Sequence, residues 1–197
     1  MNLLFIENMI NQSKNRCGWV SNEPLYIKYH DEEWGRPEFN DQQLFELLML
    51  EGFQAGLSWI TVLKKREHFR EAFDGFDAKK VAKYSASKVE KLMNNEGIIR
   101  HRGKINATIK GAQIFLTFEE GEKSFSHFLW SFVNHQPINN TPRSLKDLPA
   151  STERSTAMSK ALKKRGFNFC GPTICYAFMQ AAGMVNDHTM DCFLCTT

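Results

Sequence analysis

Leu47-Leu48-Met49-Leu50-Glu51-Gly52-Phe53-Gln54-Ala55-Gly56-Leu57-Ser58-Trp59 holds an acidic residue where the pattern calls for an apolar one. Asn40, followed three residues later by Gln43, marks a helix start of the capping-box kind, and Leu44, Leu47, Leu48 and Glu51 then recur at helical spacing on one side. A carboxylate on that face costs roughly several kcal/mol unless it is paired, hydrogen-bonded or protonated. Two explanations fit: a helix-end carboxylate that reaches water or caps the next turn, or an acid held in a site. Gly52 and Gly56 are expected to break the helix, Ser58 to cap a new one, and Trp59 to stand in its first turn near the carboxylate. A carboxylate beside a large aromatic face suits a flat, cationic or amine-bearing ligand, through stacking and charge.

A chain of 197 residues that is 42% hydrophobic can bury one good core, or build two small lobes sharing a cleft, and is not disordered. Its formal charge of +3 permits nucleic acid as a partner without arguing for it. Basic residues cluster at Lys64-Lys65-Arg66, at Arg100-His101-Arg102-Gly103-Lys104 and along Lys160 to Arg165, close to glycine-rich turns; solvated helix faces give the same runs. The five cysteines, Cys17, Cys170, Cys175, Cys192 and Cys195, without a secretory signal favour a reducing cytoplasm over a disulfide framework. Met1 to Ile6 is apolar but too short for a signal core or a membrane span. Residues 1–15 read as a variable extension and residues 16–197 as a single domain.

Residues 16–39 are rich in aromatics and turn residues and read as a loop-rich cover with a short helix. Trp19, Tyr26 and Tyr29 are either packing aromatics or the lining of a pocket above Glu51. Trp59 to Phe73 reads as one helix. Short helices follow from Asp77 and from Ser87, the latter with Glu90 completing a capping box. Ile105, Ile109, Ala112 and Leu116 mark a longer amphipathic helix, and Phe125, Phe128, Leu129 and Phe132 another. Residues 137–150 hold three prolines and read as a surface linker. No alternating strand pattern is convincing, so the expected fold is all-α with about eight to ten helices.

A helix ending at Arg165, a turn from Gly166 to Gly171 and a helix from Thr173 to Ala182 have the spacing of a helix-hairpin-helix, near residues 155–183. Such a turn exposes backbone amides that can hold a phosphate without base preference; a plain helical hairpin would use the same glycines. Cys17 and His30 near one end, with His188-x-x-x-Cys192 near the other, make a donor set for a closed tetrahedral zinc site that joins the termini. Buried thiols and hydrogen-bonded histidines are the other reading.

Several segments together resemble the 3-methyladenine DNA glycosylase I family, the constitutive alkylation-repair glycosylases of bacteria in the helix-hairpin-helix superfamily. They are Arg16-Cys17-Gly18-Trp19-Val20, Pro24 to Asp31, Glu33-Trp34-Gly35, Leu50 to Glu67, Gly97 to Ile105, Phe128 to Pro137, Ser159 to Gly166 and Val185-Asn186-Asp187-His188. The resemblance spans residues 16 to 192. It implies an enzyme that hydrolytically excises 3-methyladenine from alkylated double-stranded DNA, with 3-methylguanine left open, and that is monofunctional and a monomer. It makes Glu51 the catalytic carboxylate that recognises the base, Trp59 the stacking platform, and Tyr29, Trp19 and Tyr26 the remaining walls. Cys17, His30, His188 and Cys192 match the family's structural zinc site. Gly56 and Leu57 become the wedge that fills the gap left by the flipped nucleotide. Gly166, Gly171 and Thr173, with Lys163 and Lys164, become the grip on the DNA backbone. The extension before Arg16 and the end after Cys192 depart from the family, which leaves Cys195 without a role.

The expected chemistry follows from the base. Methylation at ring position 3 makes adenine cationic and a good leaving group, so selective capture by Glu51 and the aromatics can drive much of the reaction. Pro172-Thr173-Ile174 offers no lysine for a Schiff-base lyase step. Asn186 or Asp187 is not expected to be a strict equivalent of the superfamily's aspartate. Two other readings stand beside this one: a DNA-binding module without activity, and an enzyme of the same scaffold that removes an oxidised or mismatched base.

Overall fold

The helix that carries Glu51 starts where its cap residue places it. In the computed structural model, which describes residues 14–195, Asn40 accepts a hydrogen bond from the Gln43 backbone N–H at 3.0 Å. The described residues hold ten α-helices: α1 (Pro24–Glu32), α2 (Asp41–Gln54), α3 (Trp59–Leu63), α4 (Arg66–Ala72), α5 (Ala78–Val81), α6 (Ala86–Met93), α7 (Arg102–Phe115), α8 (Phe125–Trp130), α9 (Glu153–Arg165) and α10 (Pro172–Ala181). The apolar start at Met1 to Ile6 and most of the expected extension lie outside the described residues. Asn15 is bonded to the other end of the chain, its Nδ2 donating to the Asp191 carbonyl at 2.8 Å.

Leu44, Phe45, Leu50 and Phe53 on α2 are essentially inaccessible, as are Phe69 on α4, Phe73 and Phe76 just after it, Phe125 and Trp130 on α8, and Phe178 on α10. The helix bearing the acidic residue is therefore the central one, with α10, α7, α8 and α3 packed around it. Phe45, Met49 and Phe53 add a second buried side to the face of Leu44, Leu48 and Glu51, which leaves this helix little surface to give to water.

Four expectations change. Gly52 does not break α2; it is helical and buried, and only Gly56, at φ +83°, makes the turn that follows. Trp59 to Phe73 is two helices, because the chain bends at Lys64-Lys65, with Lys65 at φ −103° and ψ 0°. The bend gives each cation an acceptor: Lys64 reaches Glu23, Lys65 the Glu96 carbonyl, and Arg66 forms a two-pronged pair with Glu33. Helix α6 is capped by Ser85 rather than Ser87, its hydroxyl accepting from the Lys88 N–H, while Glu90 pairs with Arg102 instead of closing a capping box. Finally, β1 (Ile138–Asn139) lies parallel to β2 (Val185–Asn186). Strands of two residues are too short to show any alternation, so a sequence pattern cannot announce them.

Candidate active site

Helix α2 delivers Glu51, and α3 delivers Trp59, to one cavity of about 270 Å3. Trp19, Tyr26, Tyr29 and Trp34 also line it, so five aromatic rings surround one carboxyl. The rings brace one another at tilted or edge-on angles: Trp19 and Tyr26 have centroids 4.9 Å apart, Trp19 and Trp34 5.1 Å, Tyr29 and Trp59 5.4 Å. Aromatic pairs held this way fix the walls while leaving the space between them open.

Glu51 is 2% exposed, and its Oε2 has no hydrogen-bond partner. Burial pushes its carboxyl up to about 8. Burial, and then the nearby Glu51 charge, also raise the Tyr29 phenol well above its ordinary value. Gln54 Oε1 and Trp59 Nε1 are buried and unpartnered as well. Folded interiors leave few polar atoms unpaired. Three around a single cavity amount to bonding capacity for a ligand: acceptors at Glu51 and Gln54, a donor at Trp59.

The structure brings Trp19, Tyr26, Tyr29 and Trp59 to one cavity with Glu51. Trp34, Gln54, Gln180, Leu145 and Leu148 line the same cavity without having been singled out. Gln54 had a signal, since it stands one helical turn after Glu51. Leu145 and Leu148 had none: they come from the proline-rich segment read as a surface linker, which a capping box between Ser144 and Asp147 folds into a turn at the cavity.

Cys17, His30, His188 and Cys192 also converge, their ligand atoms all within 4.8 Å of one another and all four residues buried. Cys17 Sγ lies 3.4 Å from His188 Nδ1, and Cys192 Sγ 3.5 Å from both His30 Nε2 and His188 Nδ1. A tetrahedral ion with sulfur at about 2.3 Å and nitrogen at about 2.0 Å sets those edges at about 3.5 Å, so the donor set fits one metal ion with no open position. Burial lowers His188 to about 4 and raises Cys17 to about 12. A neutral imidazole is ready to bind, and a cation would draw off the thiol proton. Asp31 accepts from His30 Nδ1 at 2.8 Å and from Arg16, which orients the ring. Cys195 lies outside the group.

Gly166, at φ +101°, ends α9 in the left-handed conformation that glycine tolerates, and Gly171 with Pro172 starts α10. The first-turn amides of α10 have no partners within the helix. Thr173, Lys163 and Lys164 beside this turn are exposed. Gly56 and Leu57 sit at the other exposed turn, with Leu57 45% accessible. Of the basic runs, Lys64-Lys65-Arg66 is occupied by the acceptors named above. Lys104 is 6% exposed and buried against the end of α2, not on a solvated face. Asp187 is fully buried and accepts from Asn140, Tyr176 and Gln180 at 2.7, 2.6 and 2.7 Å.

No helix among the described residues is long and apolar enough to cross a membrane. Residues 19–195 match the methyladenine glycosylase family model. The DNA-3-methyladenine glycosylase of Haemophilus influenzae is 58% identical over 177 residues, which cover 90% of this chain and 96% of that protein. A crystal structure of a 3-methyladenine DNA glycosylase I superimposes with a TM-score of 0.90 at 55% identity, covering 92% of this chain and all of the other. A variant of a 3-methyladenine DNA glycosylase I crystallised with 3-methyladenine gives 0.88 at 39% identity, covering 93% and 98%. The chain belongs to the methyladenine glycosylase family.

Proposed function

We propose that this family member excises 3-methyladenine from alkylated duplex DNA by drawing the flipped nucleotide into the aromatic cavity and binding its base through Glu51. One observation carries the reading: a buried carboxyl oxygen without a partner, enclosed by five aromatic rings. A flat purine fills such a slot by stacking, Trp59 being the platform and Tyr29, Trp19, Tyr26 and Trp34 the walls. Its exocyclic amine supplies the hydrogens that Glu51 lacks. The cationic base lowers the pKa of the adjacent carboxyl, so Glu51 meets it as a carboxylate.

The sugar–base bond then breaks with its electron pair passing to the base, which leaves as neutral 3-methyladenine. Water adds to the sugar cation and gives up a proton to bulk solvent. Leu57, on the turn made by Gly56, fills the gap in the stack. The amides at Gly171 and Thr173, with Gly166 allowing the turn and Lys163 and Lys164 beside it, hold the phosphates. The scheme uses no Schiff-base step, since no lysine lines the cavity among the described residues. The enzyme is monofunctional and works as a monomer in the cytoplasm.

Zinc is the ion the Cys17, His30, His188 and Cys192 set suits, two thiolates and two imidazoles in a closed tetrahedron. Its contribution is structural, joining α1 and the segment before it to the segment after β2. The test of the whole reading is the release of free bases from methylated genomic DNA by the purified protein, separated chromatographically. A dominant 3-methyladenine peak is expected. Duplex binding without base release would favour a plain DNA-binding module, and mainly 7-methylguanine would contradict the selective pocket.

A further inference from the structure

Lys104 is the only lysine among the described residues that is buried, and it faces no carboxylate. Its ammonium donates to the Phe53 carbonyl at 2.9 Å and to the Ala55 carbonyl at 2.7 Å. The first belongs to the last turn of α2, where carbonyls lack partners within the helix and the helix dipole favours a cation. The second belongs to the exposed turn that presents Leu57. That turn has little else to hold it: the Leu57 N–H donates to the Gln54 carbonyl, and Gly56 adopts φ +83° with open space around it.

A second element reaches the same point. Phe169, in the hairpin turn between α9 and α10, adopts φ +55°, a conformation that a bulky side chain takes only when its surroundings impose it. A β-carbon on Gly52 would lie 3.5 Å from the Phe169 Cβ, and one on Gly103 would lie 3.6 Å from its ring tip. The ring sits edge-on to His101 and has the Lys104 Nζ 5.9 Å from its centroid. One buried ammonium therefore joins the end of the pocket helix, the turn carrying Leu57 and the hairpin.

We propose that Lys104 is a positioning residue for nucleotide extrusion: by clasping the Phe53 and Ala55 carbonyls beneath Phe169, it sets the Leu57 turn at a fixed distance from the phosphate-gripping hairpin. The proposal rests on the glycosylase reading above. It separates two events that share one protein, since the base is bound by Glu51 and the rings of Tyr29 and Trp59, none of which touches Lys104 through a hydrogen bond, whereas Leu57 acts only while a nucleotide leaves the duplex.

The test compares Lys104→Met, Lys104→Arg and Phe169→Ala with the parent protein, at a temperature well below every melting transition. Three quantities are read: affinity for free 3-methyladenine by tryptophan fluorescence, affinity for a duplex with a tetrahydrofuran abasic analogue, and single-turnover release of 3-methyladenine from duplex DNA. For Lys104→Met, free-base affinity is expected to stay within about threefold, while release and abasic-duplex affinity fall about 10- to 100-fold, the scale of lost charged hydrogen bonds. Lys104→Arg, which keeps the charge and its donors, restores most of the loss. Phe169→Ala, which leaves both hydrogen bonds in place, gives the same pattern at about 3- to 10-fold and keeps the test decisive where Lys104→Met does not fold. Unchanged release in the variants, or a parallel loss of free-base affinity, overturns the proposal. A parent protein that releases no 3-methyladenine would instead overturn the glycosylase reading.

Discussion

The cavity around Glu51 and the Cys/His cluster lie against each other and end in opposite bonding states. Trp19 meets His30 edge-on at 5.3 Å, and Trp34 meets His188 at 4.7 Å, so the rings that wall the cavity also wall the cluster. In the cluster every ligand atom points at another, at the spacing one ion would set. In the cavity Glu51 Oε2, Gln54 Oε1 and Trp59 Nε1 point at nothing. Both regions bury polar groups at a cost. The cluster is built to be completed once and stay closed, and the cavity is built to be completed by whatever enters. That difference separates a clamp from a site even though the two share walls.

The largest effect should come from the clamp. Stripping the metal with a chelator is expected to lower the melting temperature by roughly 10 °C or more, and zinc should restore the parent protein but not Cys17→Ser or His188→Ala. An unchanged melt after metal loss proven by elemental analysis would reduce the cluster to ordinary core. Next comes Glu51→Gln, which should cut single-turnover release of 3-methyladenine about 100-fold or more while the circular dichroism spectrum stays that of the parent. Comparable release by the two proteins would erase the contrast between clamp and site.

Asp187 tests the boundary between the two regions. With three donors on its oxygens, Asp187→Asn turns an amide hydrogen toward one of them and should cost about 1–3 kcal/mol in urea unfolding. Release should change less than the stability does; a thousandfold loss would make Asp187 a catalytic group. The smallest effect belongs to Leu145→Ala, which opens one edge of the cavity and should raise KM about 3- to 10-fold with kcat unchanged.

The sequence made the centre of this molecule legible because Glu51 violates a strong pattern: an acid on the apolar face of a capped helix asks for a partner. The donor set of the clamp was legible from residue type, but its closure needed the fold, since His188 Nδ1 and Cys17 Sγ are brought together across 171 positions of chain. Leu145 and Leu148 were illegible because a proline-rich segment carries no period that says which way it faces. The break at Lys64-Lys65 was hidden for a related reason: α3 and α4 keep one apolar rhythm across a bend, and only tertiary acceptors such as Glu23, Glu96 and Glu33 fix where the chain turns. The burial of Lys104 was not legible. A basic run looks the same whether its last member is solvated or buried under a helix end.

The most direct measurement is a pair of thermal melts, parent and Glu51→Gln, at pH 8.5 with and without free 3-methyladenine. A carboxyl that keeps its proton up to about 8 when folded, against 4.5 ordinarily, makes the folded state bind the extra proton between those values, so stability falls as pH rises through that window. Glu51→Gln escapes this loss. Without base it should therefore melt several degrees higher than the parent at pH 8.5 and little differently near pH 4, whereas added base should raise the parent's melt more than the variant's. A Glu51→Gln protein that melts no higher at pH 8.5 and is stabilised equally by the base would contradict the claim that Glu51 is buried unpaired in order to bind it.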